Sequence, residues 1–218
     1  MPRAYFDPDD GPIVALARRL AGDEEPVAAG SVRELIAAVE DGRADQGLVA
    51  LEDGRLGTDR ETIDALVFET GDVRVVEVHA VEREGQAGLQ VAVVAASEPP
   101  RQRAGRSLLF CVPRRNRPGT LSALLAPFGT RGVNLTKLES RPLGGRLGEY
   151  GFVVEVDAGL AEPALLDALE ELVAEDIHVK VLGAYEPPLS QLGRVDDREL
   201  PGGVLAHPDD VDRLRGSS

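Results

Sequence analysis

The chain has 218 residues, of which 43% are hydrophobic, so it can form one large domain or two small ones with ordinary cores. Its formal charge is -14 and only 4% of its residues are aromatic, which argues against a nucleic-acid-binding protein, because such a protein needs basic surface and stacking side chains. One cysteine and three widely spaced histidines exclude an internal disulfide and give no metal-ligand spacing, so we expect no metal and no cofactor.

Helical and strand patterns alternate over the first part of the chain. Apolar residues at three- and four-residue spacings predict helices, and Ser31 with Glu34 fits a capping box before the second one. Runs of β-branched residues predict strands, of which the last, almost wholly apolar, is typical of a central strand. The predicted helices span residues 13–20, 31–40 and 62–68, and the predicted strands span 46–51, 73–81 and 89–96. We therefore expect a small mixed α/β domain over residues 1–97.

A linker and a second domain follow. Residues 98–106 (EPPRQRAGR) combine prolines, basic residues and glycine, which is typical of a linker. Residues 107–187 show the order β-α-β-β-α-β of the ferredoxin-like fold, an α+β arrangement in which two helices cover one face of an antiparallel sheet. Residues 188–218 are polar and rich in turn-forming residues, and we predict a disordered tail there.

Two segments of the second domain carry side chains suited to a small ligand. Gly119 opens a predicted helix, whose free N–H groups attract a carboxylate, and Asn116 offers both a donor and an acceptor. The second strand should place its residues on two faces by simple alternation. One face should carry Leu135, Lys137, Glu139 and Arg141, and the other Asn134, Thr136, Leu138 and Ser140. An ordinary turn and a solvated edge strand would fit the same pattern, so spacing alone leaves the ligand open.

Four segments in order resemble the ACT domain of prephenate dehydratases. They are 116–121 (NRPGTL), 132–142 (GVNLTKLESRP), 150–152 (YGF) and 179–185 (VKVLGAY). The Glu-Ser-Arg-Pro run resembles the phenylalanine-responsive branch, which implies a side-by-side homodimer, able to pair into a tetramer, with L-phenylalanine between the subunits. The implied ligand-binding residues are Asn116, Pro118, Gly119, Thr120, Leu121, Leu138, Glu139, Ser140 and Arg141. The chain departs from the family at Thr120 and Ser122, where the family has alanine and valine.

The first domain resembles one lobe of the same family's catalytic domain, which is similar to periplasmic binding proteins. Residues 50–57 lie where the family reads Pro-x-Glu-Asn-Ser, and only Glu52 matches. The resemblance makes Glu52 and Asp53 the candidate catalytic residues. The short turn between Val81 and Leu89 leaves nearly the whole second lobe absent, and residues 88–94 lack the family's Thr-Arg-Phe motif. Donors for the departing hydroxide and for the substrate carboxylates are thereby lost.

These observations predict a phenylalanine-binding regulatory protein of aromatic amino-acid biosynthesis with little or no catalysis, acting on an enzyme of the aromatic pathway. The alternative is an active prephenate dehydratase, a lyase that converts prephenate to phenylpyruvate, water and CO2. A dimerisation module without a ligand is a third interpretation. The absence of a signal peptide and of any apolar run near ~18 residues predicts a cytoplasmic protein with no membrane partner.

Overall fold

The computed structural model describes residues 3–7, 11–83, 88–97, 105–144 and 148–188. The strands are β1 (Arg3–Tyr5), β2 (Val27–Ala28), β3 (Gln46–Asp53), β4 (Gly57–Thr58), β5 (Val73–Val81), β6 (Leu89–Ala96), β7 (Arg106–Pro113), β8 (Leu135–Pro142), β9 (Tyr150–Val156) and β10 (Ile177–Tyr185). The helices are α1 (Pro12–Ala21), α2 (Val32–Glu40), α3 (Arg60–Phe68), α4 (Thr120–Thr130) and α5 (Pro163–Ala174). Every predicted element is present within a few residues of its expected bounds. Of the predicted linker and tail, only residues 105–106 and Pro188 fall within the described ranges.

All ten described strands lie in one sheet. Its order is β2-β1-β3-β6-β5-β10-β7-β9-β8, and β4 pairs with the end of β3. β1 is parallel to β2 and β3, whereas β6 is antiparallel to both of its neighbours, as a central strand. The antiparallel order β10-β7-β9-β8 is that of the predicted ferredoxin-like domain, which is confirmed.

The two parts of the sheet meet at a single residue pair. β5 and β10 run parallel and are in register at Val75 and Gly183. Glycine permits this close approach, because a Cβ on Gly183 would lie 2.5 Å from the carbonyl oxygen of Val75. The described residues up to Pro188 therefore pack as one compact unit. The domain boundaries drawn from the sequence stay a prediction.

The start of α2 confirms the predicted Ser31 cap, while Glu34 binds one residue earlier than in a standard capping box. The Ser31 hydroxyl accepts a hydrogen bond from the backbone N–H of Glu34 at 3.1 Å, and the Glu34 carboxylate accepts one from the backbone N–H of Gly30 at 2.8 Å. The first bond satisfies an N–H group that the first turn of a helix leaves unpaired, and the second fixes the residue just before the N-cap. None of the helices in the described part of the chain has the length and apolar character needed to span a bilayer.

The ferredoxin-like sheet is covered on both faces. One face packs against α4 and α5 in a core that includes Leu109 and Phe128. The other face packs against the first domain, where Phe110 shares a core with Leu66 of α3 and meets the ring of Phe68 edge-on at 5.9 Å between centroids. The first domain therefore lies against the sheet face that the two helices leave open.

A bulge at Thr136 changes the phase of β8. Leu135 pairs with Val156 and Lys137 pairs with Glu155, which leaves Thr136 between the two pairs. Leu135 consequently packs with the core under α4 and α5, whereas Lys137 and every second residue after it face the first domain. The prediction that Leu135 shares a face with Lys137 is wrong, because simple alternation does not hold across a bulge.

Candidate ligand-binding site

A cleft of about 610 Å³ lies between the loop that follows β7 and the strands β8 and β9. Its volume is within the range of small-molecule sites. Its apolar lining consists of Val112, Pro113, Leu143, Tyr150 and Phe152, and its polar lining of Arg114, Asn116, Thr120, Ser140 and Glu149. The structure thus brings three of the predicted ligand-binding residues, Asn116, Thr120 and Ser140, around one cleft.

The loop before α4 is held in place by its own hydrogen bonds. Gly119 is the N-cap of α4 and has a left-handed backbone with φ of 90°. The Thr120 hydroxyl accepts a hydrogen bond from the backbone N–H of Arg117 at 3.0 Å and donates to the carbonyl of Arg115 at 3.2 Å. Asn116 donates to the carbonyl of Gly148 at 3.0 Å, which orients its amide at the cleft.

Four other predicted residues, in the loop, in α4 and in β8, do not line this cleft. Pro118 and Gly119 line a second cleft of about 460 Å³ on the other side of the loop. Leu121 and Leu138 are 41% and 43% exposed. Leu138 and Ser140 lie on the same face of β8, because they are two residues apart in the regularly paired part of the strand.

Glu139 and Arg141 point away from the cleft. Arg141 donates to Asp64 of α3 through Nε at 3.0 Å and also through Nη2, and it contacts Glu139 at 3.2 Å. Its side chain is only 9% exposed, and the hydrogen bond to Asp64 raises the pKa of Arg141. A ligand role for these two residues stays a prediction, since Arg141 binds Asp64 of the first domain and Glu139 binds Arg141.

Both candidate catalytic residues at the end of β3 form ion pairs with basic side chains. Glu52 accepts a hydrogen bond from the ammonium of Lys137 at 2.7 Å. Asp53 pairs with Arg83 and caps the next turn by accepting from two backbone N–H groups at 2.8 and 3.1 Å. The bond to Arg83, with those two amides, lowers the pKa of Asp53 to about 2. Asp53 is therefore ionised at neutral pH and cannot act as a proton donor.

Tyr150 and Phe152 line the cleft but are not among the ligand-binding residues predicted from the sequence. A usable signal exists, because Ser140 lies opposite Phe152 in an antiparallel ladder and opposite residues share a face. No comparable signal identifies Lys137 as the partner of Glu52. These residues are 85 positions apart, and only the assembled sheet brings them together.

Comparison with known proteins shows what this arrangement is related to. Residues 107–174 match the ACT domain family. The prephenate dehydratase of Amycolatopsis methanolica is 31% identical over 159 residues, which cover 73% of this chain and 48% of that protein. The structure of prephenate dehydratase from Streptococcus mutans has a TM-score of 0.75 and 28% identity, covering 85% of this chain and 97% of that one. The chain belongs to the prephenate dehydratase family and contains an ACT domain. The resemblance predicted from the sequence is thus confirmed.

Proteins with this fold carry more than one described activity. The chain spans about half the length of the Amycolatopsis prephenate dehydratase that it matches. A second solved structure, GqqA, is described as a novel type of quorum-quenching acylase; it has a TM-score of 0.72 and 28% identity, covering 85% of this chain and 94% of that one. The function must therefore be argued from the residues of the site.

Proposed function

We propose that the chain is a phenylalanine-binding regulatory protein of the prephenate dehydratase family with little or no dehydratase catalysis. The observation that carries the proposal is the ACT-domain cleft of about 610 Å³, in which Asn116, Thr120 and Ser140 stand beside an apolar wall. A free aromatic amino acid needs both features, because its head group is charged and its ring is apolar.

The cleft offers partners for each part of phenylalanine. The Glu149 carboxylate can accept hydrogen bonds from the ligand ammonium, and Arg114 and Asn116 can donate to the ligand carboxylate. Tyr150 and Phe152 supply aromatic surface against which a phenyl ring can pack. This division of roles favours an aromatic amino acid over a purely aliphatic one.

A second copy of the chain is proposed to cover the open side of the cleft. Leu121, Leu138 and Tyr150 are each about two-fifths exposed beside it, and β8 is an edge strand among those described. Apolar side chains next to an unpaired strand edge are typical of a surface that another chain covers. We therefore propose a homodimer, able to pair into a tetramer, that responds to phenylalanine and acts on an aromatic-pathway enzyme.

The first domain offers little for prephenate dehydration. Loss of the ring hydroxyl needs a proton donor, and Asp53, with a pKa of about 2, cannot fill that role. The Glu52 carboxylate is paired with the ammonium of Lys137. At the start of α1, the Asp7 carboxylate accepts hydrogen bonds from three backbone N–H groups at 2.9, 2.9 and 3.1 Å. An anionic side chain therefore occupies the helix end that would otherwise attract a substrate carboxylate.

Isothermal titration calorimetry with L-phenylalanine tests the proposal. We expect saturable heat with L-phenylalanine and little with D-phenylalanine, since the polar groups of the cleft have a fixed arrangement around one handedness. Ser140→Leu should remove the heat because its side chain fills the cleft. Absence of heat with the unaltered chain at millimolar L-phenylalanine would remove the sensing function.

The alternative is an active prephenate dehydratase. The likeness to the Streptococcus mutans enzyme, of which this chain covers 97%, favours this alternative. Formation of phenylpyruvate from prephenate, followed by absorbance, decides between the two functions. The proposal predicts no more turnover than in a Glu52→Ala, Asp53→Ala double variant. Clear turnover that this variant loses would establish the alternative and the catalytic role of these residues.

The likeness to GqqA does not lead us to propose acylase activity through Cys111. Amide hydrolysis needs an activated nucleophile. Cys111, the chain's one cysteine, is fully buried in β7, as its apolar surroundings in the sequence indicate, and burial raises the pKa of its thiol to about 12. Such a thiol is not a nucleophile at neutral pH.

A further inference from the structure

Neighbouring residues of β8 contact two different parts of the molecule. Ser140 lies opposite Phe152, and both line the ligand cleft. Its chain neighbours Glu139 and Arg141 point to the opposite face of the sheet, where Arg141 binds Asp64 of α3. One short stretch of strand therefore touches the ligand cleft on one face and a helix of the first domain on the other.

The contacts on the first-domain face are close, and the basic side chains that make them are mostly buried. Two nitrogens of Arg141 donate to the same carboxylate oxygen of Asp64, and the Arg141 side chain is 9% exposed. Four residues earlier, Lys137 is 12% exposed and its ammonium lies 2.7 Å from Glu52. Charge-assisted hydrogen bonds of this kind are stronger than neutral ones and fix the geometry of the groups that they join.

A second strand of the ACT domain holds the same helix. Lys180 of β10 donates to the carbonyl oxygens of Leu66 and Val67 at 2.8 and 2.9 Å, and also to that of Thr70. The carbonyls at the end of a helix lack intrahelical partners and favour a cation. α3 is therefore attached to β8 through Asp64 and to β10 through its C-terminal end, so a displacement of β8 relative to β10 acts on α3.

We propose that β8 couples ligand binding in the ACT cleft to the position of α3 through the Arg141–Asp64 ion pair. This inference rests on the proposed phenylalanine-binding function. Closely packed protein interiors transmit small displacements, so a ligand that moves Ser140 moves the residues on either side of it. The Arg141–Asp64 ion pair must then carry α3 along or be weakened.

Linkage makes this coupling measurable from either side. If the ligand changes the attachment of α3, then a change in that attachment must alter ligand affinity by the same factor. Couplings between distinct sites are typically about 5- to 150-fold in affinity. Arg141 and Asp64 do not line the cleft, so an effect of Asp64 on ligand affinity must be indirect.

The test compares L-phenylalanine affinity among the unaltered chain, Asp64→Asn and the control Glu61→Gln by titration calorimetry. Both substitutions remove one negative charge from α3, but only Asp64 binds Arg141. The partly exposed position of Asp64 tolerates asparagine, and Arg141→Lys probes the same pair from β8. We expect Asp64→Asn to change Kd by at least about fivefold and Glu61→Gln to leave it unchanged.

Hydrogen exchange supplies a second readout that a purely stabilising pair would not affect. In the unaltered chain, L-phenylalanine should change backbone exchange in residues 60–68 as well as at the cleft, and Asp64→Asn should abolish only the first change. An unchanged Kd in Asp64→Asn, with ligand effects confined to the cleft, would overturn the coupling and leave the proposed function intact. Absence of binding by the unaltered chain would overturn both.

Discussion

Gly119 shows what a single residue requires at the candidate site. It begins α4 with φ of 90°, a region that residues with a Cβ rarely adopt. A Cβ at this position would meet no atom within 4 Å, so the space around it is open. The left-handed backbone is by itself sufficient reason for glycine at this position.

Gly119→Ala should lower the free energy of unfolding by about 1–2 kcal/mol, the usual cost of a left-handed conformation for a residue with a Cβ. Gly129, inside α4, has equally open surroundings without the left-handed backbone. Gly129→Ala should therefore be neutral or stabilising by up to about 1 kcal/mol. Urea denaturation measures both variants, and equal effects at the two positions would contradict this explanation.

Glu40 should contribute to the loss of stability in acid. Its carboxylate accepts a hydrogen bond from the Thr70 hydroxyl at 2.6 Å and from the backbone N–H of Gly71 at 3.1 Å. Both bonds lower the pKa of Glu40 below its usual 4.5, and the bond from Thr70 has the larger effect. A carboxyl with a lowered folded-state pKa stabilises the fold above its unfolded-state pKa and loses this contribution as pH falls through the folded-state pKa.

Glu40→Gln keeps an acceptor but cannot titrate, so its stability should fall less steeply than that of the unaltered chain between about pH 5 and pH 2. Thermal unfolding followed by circular dichroism across this range measures the difference. Thr70→Val, which removes the principal donor, should give an intermediate slope. Parallel curves for the unaltered chain and Glu40→Gln would show that this carboxylate does not contribute.

At the scale of elements, the junction between β5 and β10 depends on the lack of a side chain at Gly183. A Cβ there would lie 2.5 Å from the carbonyl oxygen of Val75 and 2.6 Å from its Cβ. The obstructing atoms include backbone, which cannot move without disturbing the sheet. This position therefore determines whether the two parts of the sheet stay joined.

Gly183→Ala should destabilise the chain by about 1–3 kcal/mol, the usual cost of overpacking, or separate the unfolding of the two parts. Gly71→Ala is the matched control, because a Cβ on Gly71 meets nothing within 4 Å and its backbone is unstrained. Urea unfolding followed by two probes would show the loss. A Gly183→Ala variant as stable as Gly71→Ala would mean that the junction contributes little.

The elements could be predicted from local patterns, but the phase of β8 could not. Apolar periodicity, the Ser31 cap and the β-branched runs predict helices and strands, because these signals act over a few residues. The bulge at Thr136 depends on distant partners, since its hydroxyl bonds to Glu155 of β9, which also binds Tyr185 of β10. Only the register of the whole sheet determines that Leu135 and Lys137 lie on opposite faces.

The same limit applies to the molecule as a whole. The linker and the change of pattern predict two domains, but no local signal predicts the ion pairs that join β8 to the first part of the chain. Arg141 and Asp64 are 77 residues apart, and Lys137 and Glu52 are 85 apart. The residues around the cleft were partly predictable, because Asn116 and Ser140 carry the family resemblance. That Arg141 binds Asp64 of α3 could not be predicted, because only the three-dimensional packing brings the two residues together.

The proposed dimer gives a prediction at this scale. Leu138→Asp places a charge on an exposed apolar position of the edge strand β8 and should weaken the dimer at least about tenfold, since a buried unpaired charge is costly. Val173→Asp, on α5, changes a position that is 62% exposed and should leave the dimer unchanged. Sedimentation equilibrium measures both. A monomeric unaltered chain, or equal weakening by both variants, would contradict the proposed interface.

The most direct test of the account is a crystal structure grown in saturating L-phenylalanine. The account predicts one amino acid per ACT domain, with its head group near Asn116, Thr120 and Ser140 and its ring against Tyr150 and Phe152. A well-ordered crystal in which that cleft is empty, or in which phenylalanine lies elsewhere on the molecule, would contradict it.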